Sequence, residues 1–251
     1  MSTSPLAEPS HRLLGAANKT DTPLIICFHG SGESCEPSWN GLAHLLESRY
    51  RILLFERGPH NPNPTQATSH LLDFLKAQNL AGPYVLVAHS YGGAFARTFM
   101  HRVLKSVAGV VLVETGQEGG LDPKIAAAQT RKRILGQTPL CVIRGNSFIH
   151  KQKSLEAEEI RAVSEQQRAA FTMQRTLLEA SDKEDERMKK EQLQLSRNAR
   201  YIHIPDCGHH VIRDRPEAVA DEVDWVVSGA LIASVSSWWQ KLAMKLEWVV
   251  R

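Results

Sequence analysis

An α/β fold, a mostly parallel sheet flanked by helices on both faces, is predicted by three features of this sequence. Short runs rich in β-branched residues recur along the chain, and most are apolar throughout rather than alternating with polar residues, which is how strands covered on both faces read. Helical patterns lie between most of these runs, and strand alternating with helix builds a parallel sheet through right-handed crossovers. The 251 residues are 42% hydrophobic and 23% charged, enough to fill the core of one large domain and unlike a disordered or repetitive chain.

The elements follow in order. Strands are expected at 24–28, 51–55, 84–88, 110–113, 140–143 and 201–204. Helices at 38–46, 69–80, 94–104 and 216–227 carry apolar residues at three- and four-residue spacing, and Pro216 suits a first helical turn. Two inserts interrupt the alternation. The shorter, 115–137, holds a turn at Gly119-Gly120 and then one helix. The longer, 146–199, far exceeds an ordinary loop; its segment 155–194 is polar and spaced for helices, which reads as a helical lid, with the charge run 183–190 as a solvated face. At the end, 231–250 places Leu231, Val235, Trp238, Leu242, Leu246 and Val249 on one side of an amphipathic helix. It is expected to pack on the domain, with a membrane-surface role or a homodimer contact as alternatives.

Composition excludes several classes of function. Thirty Lys and Arg against 27 Asp and Glu leave a formal charge of +3, scattered rather than clustered, which argues against a nucleic-acid partner. No run reaches the roughly 18 apolar residues of a membrane span, and the polar opening MSTSPLAEPSHR has no signal-like apolar stretch. Cys27, Cys35, Cys141 and Cys207 show neither metal-ligand nor redox spacing, so the expectation is a reduced, cytoplasmic chain.

The sharpest local signal is Ala88-His89-Ser90-Tyr91-Gly92, where an apolar strand turns abruptly into a helix. It fits the nucleophile-elbow pattern G-x-S-x-G with Ala in the first Gly position. Such a turn strains the serine backbone and crowds its neighbours, so small residues are needed two before and two after it. It also lifts the Ser90 hydroxyl clear of the sheet and aims the Tyr91 N–H at any oxyanion formed above it. The strand at 24–28 runs into His29-Gly30-Ser31-Gly32, a turn that can offer the Ser31 N–H to the same oxyanion. A serine hydroxyl needs a base, and Gly208-His209 lies in a loop between a strand and a helix, making His209 the candidate and His210 its packing neighbour. A metal site from His203, Asp206, Cys207 and His209 is the competing reading of that loop, though no second cluster has ligand spacing.

These residues, with the Glu56-Arg57-Gly58-Pro59 turn and the Arg-Pro-Glu-Ala-Val run after His209, resemble the α/β-hydrolase fold superfamily over about 24–114 and 198–228. The resemblance implies catalytic groups at the carboxyl ends of the strands and the chain order Ser, acid, His. The region before Leu24 is short for the superfamily's antiparallel opening strands, so a trimmed first edge is expected. The turn Arg144-Gly145-Asn146-Ser147-Phe148 has no carboxylate where many relatives keep Asp. Some branches carry the acid one strand earlier, which points to Glu114; Glu118, a residue of the longer insert, or Asn146 in place of an acid are the alternatives.

The leading expectation is therefore a cofactor-independent serine hydrolase acting on an ester, thioester or lactone of a small molecule, with Ser90, His209 and Glu114 catalytic and Ser31 and Tyr91 forming the oxyanion hole. A lyase, cyclase or acyltransferase using the same pair is the second reading, and a ligand-binding module that has lost chemistry is the third.

Overall fold

The computed structural model describes residues 11–15, 21–57, 62–116, 119–161 and 163–249, with side chains through 232. Seven strands form one sheet in the order β1-β3-β2-β4-β5-β6-β7. They are β1 (Arg12–Leu14), β2 (Leu24–Phe28), β3 (Ile52–Phe55), β4 (Tyr84–His89), β5 (Val107–Val113), β6 (Leu140–Arg144) and β7 (Ala199–His203). All neighbours run parallel except β1, which pairs antiparallel with β3 through Arg12 to Leu54. The first edge is thus short rather than missing. Three residues of mixed polarity, Arg12-Leu13-Leu14, are too few to show a period, and this is why the sequence hid them.

The apolar runs are covered on both faces, as their composition requires. Leu24, Ile26, Phe28, Leu86, Ala88, Leu112 and Val142 point into one core, closed by α2 (Pro64–Ala77) and α3 (Gly92–Val103). Ile25, Cys27, Val85, Val87, Val111, Val113, Cys141 and Ile143 point into the other, closed by α1 (Asn40–Leu46) and α8 (Pro216–Val249). Successive strand residues face opposite ways, so two cores need apolar residues at every position.

Helix α2 begins five residues before the expected start, because Pro64 fits a first helical turn and the Asn63 side chain accepts the Thr65 N–H at 2.9 Å. The shorter insert holds the single helix α4 (Pro123–Lys132), capped by Asp122. The longer one folds into α5 (Ile149–Glu159) and α6 (Glu165–Glu191), which leads to a 3₁₀ turn (Gln192–Leu195) before β7. A short helix, α7 (Val211–Asp214), precedes α8.

The helices expected over 216–227 and 231–250 are one unbroken helix. Gly229 does not break it: a β carbon there would lie 2.8 Å from Pro139 Cγ, so the glycine permits close approach to the sheet. Side chains from 233 onward, and with them the apolar face proposed for the tail, lie outside the described residues, as does Glu118. Among the described residues no helix is long and apolar enough to cross a membrane.

Candidate active site

The carboxyl ends of β2, β4, β5 and β6 meet at one rim. Ser90 follows β4 with φ +50°, and Glu114 follows β5 with φ +54°, a left-handed conformation that non-glycine residues rarely hold without support. Support comes from the ladder: Ser90 N–H donates to Val113 O at 3.0 Å and Glu114 N–H to Ile143 O at 2.9 Å. Gly92, two residues past Ser90, lies so close to β2 that any β carbon would overlap the Phe28 carbonyl oxygen. The smallness expected at that position is required by this contact.

Glu114 and His209 are in direct contact, with His209 Nδ1 donating to Glu114 Oε2 at 2.9 Å. The turn after β6, which lacks a carboxylate, serves this one. Gly145 N–H donates to Glu114 Oε1 at 2.7 Å, and the Ser147 hydroxyl donates to Oε2 while lying 3.2 Å from His209 Nδ1. Gly145 itself packs against the Gly208 carbonyl, leaving no room for a side chain and holding the His209 loop to that turn.

Glu114 is 2% exposed. Burial pushes its carboxyl pKa up, but hydrogen bonds from His209 and Ser147 and the nearby Lys189 ammonium outweigh it and bring the value down to about 2. The carboxylate is charged at neutral pH, and the His209 ring, 37% exposed, turns its other nitrogen away from it.

Asn146 does not take the orienting role. Its amide donates to Gln152 and its oxygen accepts the Phe148 N–H, so it is committed within its own turn. His203, Asp206, Cys207 and His209 form no cation-binding cluster, and none of three or more such groups occurs among the described residues. His210 lies on the other side of the loop, with Nδ1 3.2 Å from Glu33 Oε1.

Ser31 sits on the exposed turn after β2, and Tyr91 is the N-cap of α3, so the N-terminal end of α3 opens beside Ser90. That turn abuts the elbow: a β carbon on Gly30 would lie 3.2 Å from His89 Nδ1. Among the described residues the Ser90 hydroxyl makes no side-chain hydrogen bond, and such contacts are often loose before substrate binds.

Sequence reasoning missed His89, Glu33, Ser147 and the charged groups of α6. His89 Nε2 donates to the His209 carbonyl at 2.9 Å, and its Nδ1 lies 3.4 Å from Glu33 Oε2, so the residue beside Ser90 grips the His209 loop. The charge run on α6 is not wholly solvated, contrary to its reading as an exposed face. Asp185 and Lys189, one helical turn apart, are 1% and 2% exposed and point at the rim, while Glu184, Arg187 and Lys190 face outward. The i, i+4 spacing of Asp185 and Lys189 does not mark them out, because the more exposed Glu186–Lys190 and Arg187–Glu191 pairs on the same helix share it.

Comparison with known proteins places this geometry among relatives. A model of the alpha/beta hydrolase family matches residues 25–222. The chain is 28% identical over an alignment of 288 positions to "Probable transporter efuK" of Hormonema carpetanum, covering 86% of this chain and 41% of that one, so it spans about two fifths of that curated relative's length. Among solved structures it resembles a serine hydrolase involved in carbazole degradation, at 16% identity and TM-score 0.56 over 87% of this chain and 93% of that one. The enol-lactonase from Burkholderia xenovorans LB400 aligns at 16% identity and TM-score 0.53 over 87% and 96%.

Proposed function

This chain belongs to the alpha/beta hydrolase family, and from that premise we propose that it is a cofactor-independent serine hydrolase cleaving an ester, thioester or lactone of a small molecule through an acyl-enzyme. The observation that carries the reading is the 2.9 Å contact between His209 Nδ1 and the buried, ionised Glu114, at the rim where Ser90 sits on its strained turn.

The chemistry follows from hydrogen placement. Glu114 accepts the Nδ1 hydrogen, which leaves Nε2 bare and able to take the Ser90 proton as the hydroxyl attacks the carbonyl carbon. The tetrahedral oxyanion rests on the Ser31 and Tyr91 N–H groups. His209, now cationic against Glu114, returns its proton to the leaving group; water then enters through the same base and releases the acid. Helices α5 and α6 serve as the lid over this rim and shape the substrate pocket. The four free, buried cysteines support a cytoplasmic setting. A cyclase or acyltransferase would share the acyl-enzyme half of the cycle and differ in what meets the acyl group, whereas a lyase would use the same Ser90–His209 pair only to move a proton.

A fluorophosphonate probe tests the reading. Wild-type protein labels covalently and hydrolyses p-nitrophenyl esters, and Ser90→Ala does neither. Failure of the folded wild type to label would shift the assignment to a binding module, and labelling without hydrolysis would shift it to a transferase.

A further inference from the structure

The Glu114 carboxylate divides its two oxygens between two tasks. Oε2 receives His209 and Ser147, whereas Oε1 receives the Gly145 N–H at 2.7 Å and faces Lys189 Nζ at 3.7 Å. Lys189 comes from the far end of the longer insert, 75 residues after Glu114, and is as buried as the carboxylate it faces. Its own charge is matched by Asp185 on the preceding helical turn. Asp185 in turn accepts from Arg144 Nε at 2.9 Å, and the other arm of Arg144 reaches Asp182. From Glu114 to Asp182 the charges alternate in sign, tying α6 to the last residue of β6 and the first residue after β5.

Such a network is poor evidence for stability, because desolvating the ions cancels most of their attraction. Its position supplies the reason to keep it. A carboxyl buried as deeply as Glu114 tends toward the neutral acid, and a neutral acid does not stabilise an imidazolium. Resting on the serine-hydrolase reading, we propose that Lys189 is a positioning residue of the reaction: from α6 it keeps Glu114 charged and pinned by Oε1, so that Oε2 stays aimed at His209.

The groups facing Glu114 are His209 and Cys207 from the loop before α7, Gly145 and Ser147 from the turn after β6, and Lys189, backed by Asp185, from α6. Lys189 brings its ammonium to this set from α6, 3.7 Å from Oε1. Removing it raises the affinity of the Glu114–His209 pair for its first proton, wherever that proton rests, and the first proton disables the base. The acid limb of the kcat/KM profile therefore moves to higher pH.

The test compares pH profiles of p-nitrophenyl ester hydrolysis for the wild type, Lys189→Met and the double variant Lys189→Met/Asp185→Asn, with Ser90 labelling as a parallel readout. The double variant removes the Lys189–Asp185 pair as a unit, leaving Arg144 with Asp182. In Lys189→Met the acid limb is expected to rise by about one pH unit, the lower end of the effect of losing an opposite charge near a carboxylate, and in the double variant by less, because the Asp185 negative charge leaves with it; KM stays near the wild-type value in both. A folded variant whose limb stays in place overturns the proposal, as does loss of folding in both, which would assign the network to stability alone. A wild type that does not label at Ser90 overturns the underlying hydrolase reading as well, and is distinguished by that absence.

Discussion

Replacing Glu114 by Gln tests the site at its most constrained point. Gly145 N–H can only donate, so the new amide must place its oxygen at the Oε1 position, 2.7 Å away. The NH₂ group then occupies the Oε2 position, 2.9 Å from His209 Nδ1, and also only donates. Nδ1 must accept, the ring hydrogen moves to Nε2, and the nitrogen meant to receive the Ser90 proton is blocked. The same exchange in a serine-protease triad costs about 10⁴ in kcat, or about 5 kcal/mol of barrier. The amide can escape only by rotating, which sets NH₂ against the Gly145 N–H and Lys189 and costs about 3 kcal/mol for the lost bond and the opposed donors. Even by that escape route the loss stays at about 10² or more in kcat. The expected fall lies between these bounds, measured as steady-state hydrolysis of a p-nitrophenyl ester per fluorophosphonate-reactive site. A folded variant within tenfold of wild type would refute Glu114 as the acid and the tautomer argument with it.

Two further outcomes are expected. His209→Ala should abolish nearly all turnover and His210→Ala should leave a substantial fraction, because His210 contacts Glu33 rather than Glu114; the reverse pattern in the same assay would move the base to His210. Stability should fall in acid as the pH drops from the ordinary carboxylate value near 4.5 toward about 2. Among the carboxyls lowered in the folded state are Glu33, held to about 2 first by the His89 ring beside it, and Glu114, where partners overcome burial. Their contribution is present above the unfolded value and lost below it. Urea midpoints that stay level across that window would contradict this, and Glu33→Gln should flatten part of the slope.

Much of the fold was legible because burial on two faces leaves a direct trace in composition: Leu24-Ile-Ile-Cys-Phe28 and Tyr84-Val-Leu-Val-Ala88 carry no polar position. The strained turn at Ser90 was legible through its small neighbours, and the position of Glu114 at the rim through the strand it ends. The partners of Glu114 were not. Ser147 belongs to a turn whose missing carboxylate drew the eye to what it lacked rather than to the donors it supplies. Asp185 and Lys189 are charged residues in a charged helix, and nothing local separates a charge turned inward from one turned to water. Only the packing of α6 against β6 decides that. β1 escaped notice for a different reason, being three residues long and defined only by its pairing with β3.

The 27 residues of α6 form a rod about 40 Å long at 1.5 Å rise per residue. It is fastened near its carboxyl end by Lys189, Asp185 and Asp182, whereas the opposite end, beside Ile160 and Val163 at 86% and 88% exposed, stands in solvent. Rotation about Asp185 by ten degrees would carry the start of the helix, about 30 Å away, through about 5 Å. Under the lid reading proposed above, entry to the rim would widen by a swing of the outer arm while the contact of Glu114 with Lys189 at the pivot scarcely alters.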